Sequence, residues 1–299
     1  MPVYLSKRLD FLKAAQNADG GWGYFPAKSS WLEPTAYAML ALHGDQSARG
    51  ALERAWALVR GWQLPDGAWR PAGEVWEAHW SGALVITVAS VRGARGRWLD
   101  LGLDWLLKST GAEGGWFRRA VRFCFPRTSP IDLGLLGWPW RPGSSSWIEP
   151  TAHALVALKR MAPYAGSSLL NSRIREGERM ILDRRCRDGG WNYGSPSVYG
   201  NDLPSYDEST GLALLGLQGL PKATLAEPLE KAATRWRETR STLAKAWLGI
   251  SLRNHGLRLP EGGEAAARET VPQDTMLAAL ETLATTEGNH RLLGPETKA

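Results

Sequence analysis

Two carboxylates in this chain stand where an apolar stretch begins. Glu33 and Glu149 each precede Pro-Thr-Ala, inside "GWGYFPAKSSWLEPTAYAMLAL" (21–42) and "GWPWRPGSSSWIEPTAHALVAL" (137–158), which align without a gap. A third acid, Glu208, follows Asp207 in "YGNDLPSYDEST" (199–210). One reading is helix initiation. Proline suits the first helical turn, and an acid there meets the positive end of the helix dipole, worth ~0.3–1 kcal/mol. Glutamate is not among the preferred N-cap residues, so that reading is incomplete. The other reading is general-acid chemistry. Carboxyls gathered around an apolar cavity are pushed toward their protonated form by desolvation and mutual repulsion.

The segment carrying Asp207 and Glu208 also holds Asp202, Tyr193 and Tyr206 nearby, and it is six residues longer than its counterpart before Glu33. The adjacent acids can act as an acid with an assisting partner or bind a divalent cation; a polar loop with a capped helix is the plain alternative. His153 lies four residues past Glu149, on the same helical face, as a proton relay or as a satisfied core histidine. Trp31, Trp80, Trp147 and the pair Trp138/Trp140 precede apolar segments. Their faces can line a hydrocarbon pocket and stabilise a cation by ~0.5–2 kcal/mol per ring, or simply pack in the core. Trp22, Trp69, Trp116 and Trp191 close turns ("DGGW", "DGAW", "EGGW", "DGGW") and are expected to pack between repeats.

These residues need a frame, and the repeats supply it. Charged amphipathic segments precede the turns: Leu5–Ala15, Ala48–Trp62, Trp98–Lys108, Leu169–Arg185, Lys222–Trp236 and a short one at Gly263–Glu269. Small-residue-rich segments, apolar on nearly all sides, follow them and open at Thr35, Ser81, Thr151, Thr210, Thr242 and Thr275. A helix apolar all round is buried. The pattern predicts an all-α fold, a single (α/α)6 toroid of six inner and six outer helices, with Glu33, Glu149 and Glu208 at one mouth. One domain is expected over 1–299, with a loop insertion near 117–136 and a flexible tail near 286–299.

Gln16 stands six residues before Trp22, and Gln63 six before Trp69. This spacing resembles the Gln–Trp motif of the terpenoid cyclases, the squalene–hopene and oxidosqualene cyclase family. The Gly-Gly-Trp turn followed by acid-x-Thr resembles the wider repeat shared with protein prenyltransferases. The resemblance covers roughly Leu5 to Ala284 and implies an α/α toroid. Two departures bear on activity and a third on stability. The Asp-x-Asp-Asp tetrad of class II cyclases is absent. Where prenyltransferases hold zinc through Asp and Cys, this chain has Glu33 with Thr35, Glu149 with Thr151 and Glu208 with Thr210, and Ser209 in the histidine slot, which argues against zinc. Thr110 and Arg185 replace the Gln before Trp116 and Trp191.

Composition narrows the rest. The net charge is +6 and the pI about 9.4. The arginines are dispersed and no nucleic-acid motif occurs, so a solvated basic surface is expected rather than nucleic-acid binding. "FRRAVRFCFPR" (117–127) interleaves arginine with aromatics, a pattern suited either to a lipid interface or to a loop tucked on the core. No run approaches the ~18 apolar residues of a membrane span. Cys124 and Cys186 lie in no ligand spacing, consistent with a cytoplasmic chain without a metal or other cofactor. The resulting expectation is a terpenoid-cyclase-like protein that binds a long isoprenoid and cyclises or isomerises it by protonation. Asp207 or Glu208 would be the acid, supported by Glu33 and Glu149. The alternatives are a non-catalytic toroid for a lipid or protein, one half of a two-chain cyclase, and a glycosidase using paired carboxylates.

Overall fold

The computed structural model describes residues 3–114, 131–259, 270–285 and 289–292. Eleven α-helices occur among them. Five are amphipathic: α1 (Val3–Ala14), α3 (Arg49–Gly61), α5 (Arg97–Lys108), α7 (Ser168–Asp183) and α9 (Lys222–Glu238). The other six are α2 (Leu32–Leu42), α4 (Gly82–Val91), α6 (Ile148–Ala165), α8 (Asp207–Gly216), α10 (Thr242–Asn254) and α11 (Thr275–Leu283). Each element lies close to where periodicity places it. In α3 only Leu52, Ala55 and Val59 are fully buried, whereas every residue of α2 except Glu33 is buried. The six apolar helices pack in sequence, α2 on α4, α4 on α6, α6 on α8, α8 on α10 and α10 on α11, and α11 packs on α2. Among the described residues no helix is long and apolar enough to cross a membrane.

The turns are pinned by tryptophan. The indole N–H of Trp22 donates to the Leu12 carbonyl (2.7 Å), that of Trp69 to Val59 (3.0 Å) and that of Trp191 to Ile181 (2.6 Å). The backbone N–H groups of Trp22 and Trp191 donate to the hydroxyls of Thr35 and Thr210 at 2.9 and 3.0 Å. Threonine therefore does not open these helices. α2, α6 and α8 begin three residues earlier, and the hydroxyl faces back onto the turn.

Trp138 belongs to this set, which corrects its expected place at the mouth. Its indole N–H donates to the Leu106 carbonyl (2.7 Å), its backbone N–H to Thr151 Oγ1 (3.0 Å), and it is 2% exposed. The third repeat thus takes its turn tryptophan from Trp138. Trp116, expected in that role, lies outside the described residues, as do Cys124, the basic–aromatic stretch 117–127, the expected helix at 263–269 and most of the tail.

The glutamines bridge repeats. Gln16 Nε2 donates to Gly20 O and Ala51 O, both at 2.8 Å, and Gln63 Nε2 to Gly67 O (3.0 Å) and Trp98 O (2.8 Å). Arg185 reproduces half of this pattern through Gly189 O (3.1 Å) and adds an ion pair with Glu227 (2.9 Å). Gly67 sits at φ +95°, and a side chain there would run into the Leu101 carbonyl, so the turn accepts only glycine.

Candidate functional site

α2 and α6 both pack on α4, and the charge of Glu33 at the start of α2 reaches Glu149 at the start of α6. Trp31 and Trp147 take the N-cap positions in extended backbone, without side-chain capping bonds. Their N–H groups donate to the carbonyls of the turn tryptophans Trp22 (2.9 Å) and Trp138 (3.1 Å). Glu33 and Glu149 consequently fall at the second helical residue, where their side chains are not needed for capping. Both are half-buried.

The two acids share one electrostatic environment. Burial first, and then the charge of Glu33, pushes the Glu149 carboxyl up to about 8. Glu33 is also raised by burial, but the Tyr24 hydroxyl opposes this by donating to Glu33 Oε2 at 2.6 Å. Asp274 adds a further repulsion on Glu33. It caps α11 by accepting from Leu277 N (2.9 Å), and Thr275 N donates to the Tyr24 carbonyl (2.8 Å), which brings the start of α11 to this edge. Like charges in a desolvated place lose their proton in two coupled steps, so one carboxyl stays neutral near pH 7.

One turn deeper, the centre is aromatic. Tyr37, His153 and Trp247 are each the sixth residue of their helices α2, α6 and α10. The Tyr37 hydroxyl lies 3.0 Å from His153 Nε2, and the ring centroids of the three stand 5.7–6.0 Å apart. Trp80 packs 5.1 Å from His153, and Trp140 5.3 Å from Trp80. Burial pushes His153 down to about 3, so its imidazole is neutral, and it holds Tyr37 well above the ordinary phenol range. The floor beneath the acids is therefore uncharged. His153, read either as a relay beside Glu149 or as a satisfied core histidine, bonds Tyr37. Trp80 also breaks the acid series: it stands eleven residues after Trp69, the offset of Glu33 from Trp22 and of Glu149 from Trp138.

The remaining acids have partners of their own. Asp207 Oδ1 faces Arg235 of α9 at 3.5 Å, and Glu208 Oε1 accepts from Ser241 Oγ at 3.1 Å. Asp202, in the hairpin of β1 (Ser197–Val198) and β2 (Asn201–Asp202), pairs with exposed Arg187 at 3.0 Å. Tyr193 and Tyr206 lean on one another at 5.1 Å and are exposed on the rim, as is Trp31. Among the described residues no group of three or more His, Cys, Asp or Glu side chains is placed to hold a metal. Sequence reasoning passed over Tyr24, Tyr37, Trp247 and Asp274. Tyr24 and Tyr37 do carry a signal, since the gapless alignment sets them opposite Trp140 and His153.

No protein-family model matches the chain. A drimenyl diphosphate synthase from Streptomyces showdoensis is 46% identical over 66 residues, 21% of this chain and 12% of that enzyme. The matched stretch therefore spans about one eighth of the relative's length. The type II terpene cyclase MstE from Scytonema, in complex with its product merosterolic acid A, aligns over 94% of this chain and 79% of its own, with a TM-score of 0.54 and 17% identity. The chain has a terpenoid-cyclase-like fold. The same architecture serves other chemistry: an endo-β-1,4-glucanase from Acetobacter xylinum aligns over 95% of this chain and 97% of its own, with a TM-score of 0.61 and 13% identity. Fold alone does not choose between them; the site must.

Proposed function

We propose that the chain is a terpenoid-cyclase-like domain acting on a long isoprenoid, with Glu149 as the general acid. The reading takes the six packed inner helices as a closed (α/α)6 toroid, one domain over 1–299. The observation that carries it is the Glu149 carboxyl, pushed up to about 8 beside Glu33 and above an uncharged aromatic floor. A carboxylic acid that keeps its proton near neutral pH can deliver it to an alkene carbon. The C–H bond forms as the π bond breaks, Glu149 becomes carboxylate, and the resulting carbocation faces Trp31, Trp147 and Trp140. Loss of a proton from the product cation restores the acid. Burial, and after it the charge of Glu33, holds the proton on Glu149. Asp207 faces Arg235 at 3.5 Å and is not assigned the acid's role.

The test is incubation with squalene, farnesyl diphosphate and geranylgeranyl diphosphate, with products read by gas chromatography and mass spectrometry. Turnover is expected, with Glu149→Gln lowering it at least ~100-fold, the lower end of general-acid contributions. Unchanged substrates, or a fully active Glu149→Gln protein, would contradict the proposal.

A second reading has its own support. The centre beneath the acids is filled by rings in contact, while Trp31, Tyr193 and Tyr206 are exposed on the rim. Such a mouth suits one wall of a site completed by another domain or chain, or a non-catalytic lipid-binding toroid. Native mass spectrometry separates these by the mass retained, a lipid or a stoichiometric partner chain.

A further inference from the structure

Below the third turn lies a buried ion pair that the proposed chemistry does not use. Arg184 Nη2 and Glu113 Oε1 stand 3.3 Å apart, and the side chains are 2% and 3% exposed. Both close on one residue, gripping the peptide groups on either side of it. The Ser146 N–H donates to Glu113 Oε1 and Oε2 at 2.9 and 3.1 Å, and its hydroxyl to Oε2 at 3.2 Å. Arg184 Nη1 donates to the Ser146 carbonyl at 2.5 Å. Ser146 is followed directly by Trp147, the N-cap of α6, and three residues later by Glu149.

The other repeats show what is ordinary here and what is not. Asp19 accepts from the Ser30 hydroxyl (2.7 Å), and Asp188 from the Ser205 hydroxyl (2.9 Å), so an acid on the turn that holds this serine is a feature of the frame. Those acids lie near the surface. Only in the third repeat is the acid a longer Glu, buried, and answered by a buried arginine that grips the carbonyl as well. Arg184 is the C-cap of α7, and the corresponding C-cap of α3 is Trp62, an apolar residue. An apolar group thus satisfies the frame at that place. A buried ion pair carries a large desolvation penalty and is a poor source of stability compared with apolar packing. Its retention where Glu149 begins calls for another role.

We propose that Glu113 and Arg184 are positioning residues for Glu149, clamping the peptide groups on either side of Ser146 so that the first turn of α6 holds the carboxyl against Glu33. The inference rests on the reading of Glu149 as the acid of this mouth. The clamp acts through main-chain hydrogen bonds, so their geometry, rather than the ionic charge, is what it supplies. The titratable groups that face Glu149 are Glu33 and Tyr37 of α2, Tyr24 of the first turn and His153 of its own helix, with Asp274 beyond Glu33. None of them contacts the clamp.

Two double variants test this. Glu113→Gln/Arg184→Gln removes both charges and keeps acceptor and donor for the Ser146 N–H and carbonyl. Glu113→Leu/Arg184→Met removes charges and hydrogen bonds at similar volume. Carbon-13 NMR titration, with Glu149 assigned by its loss in Glu149→Gln, reads the carboxyl midpoint, and thermal unfolding reads the fold. The amide pair is expected to keep a midpoint near that of the parent. The apolar pair is expected to lower it by at least one pH unit while the protein stays folded. An unchanged midpoint in the folded apolar pair overturns the clamp and leaves the acid intact. A parent midpoint in the ordinary carboxylate range overturns both. Should the apolar pair not fold, a lowered midpoint in the amide pair contradicts the role of the hydrogen bonds, and a retained one supports it.

Discussion

Tyr24 donates its hydroxyl proton to Glu33 at 2.6 Å, while among the described residues no hydrogen bond lowers Glu149 across the same mouth. This asymmetry decides which acid holds the proton. Replacing Tyr24 by Phe removes the bond that favours ionised Glu33. Glu33 is then expected to titrate higher. Glu149, relieved of part of that charge, is expected to titrate lower. The two midpoints approach one another, read by carboxyl NMR as the coupled steps of a pair.

The raised carboxyl has a cost in stability with a definite sign. Below 4.5 Glu149 is protonated in both folded and unfolded chains and contributes nothing. As pH rises from 4.5 to about 8, the unfolded chain releases the proton and the folded one retains it, so stability falls by up to ~1.4 kcal/mol per pH unit. Above about 8 the penalty is constant. Glu149→Gln is therefore expected to match the parent in urea unfolding at about pH 4 and to exceed it at about pH 8.

Trp138 offers a contrast with the rim tryptophans. Trp138→Phe leaves the buried Leu106 carbonyl without its indole donor, a loss of ~1–3 kcal/mol in unfolding free energy. Turnover and ligand binding per folded molecule are expected to stay unchanged. Trp31→Ala, on the exposed rim, is expected to do the reverse.

Asp207→Asn loosens a half-buried pair with Arg235, and Glu208→Gln weakens one bond to Ser241. Each is expected to change stability by no more than ~1 kcal/mol and to leave most turnover in place, measured beside Glu149→Gln. A collapse of activity in either would return the acid to the fourth repeat.

How much of this was legible beforehand differs by feature. The helices were, because an amphipathic stripe and an all-apolar run are local patterns. The start of α2, α6 and α8 was misplaced because threonine is a good helix opener, and nothing local shows that Thr35 serves the Trp22 backbone instead. The place of Trp138 on the third turn was legible in the alignment of Gly137-Trp138 with Gly21-Trp22. Glu33 and Glu149 stood out through Glu-Pro-Thr-Ala, as two of three glutamates expected at one mouth. Their neighbours Tyr37, His153 and Trp247 meet only because three helices place their sixth residues at one level, a three-dimensional relationship with no sequence-local trace. Glu113 and Arg184, 71 residues apart, are of the same kind.

The central claim is that Glu149 holds a proton at neutral pH, and a site-resolved carbon-13 titration of its carboxyl in the intact protein tests it directly. A midpoint near 8, falling when Glu33 is changed to Gln, is the expected result. A midpoint near 4.5 that ignores Glu33 would contradict it.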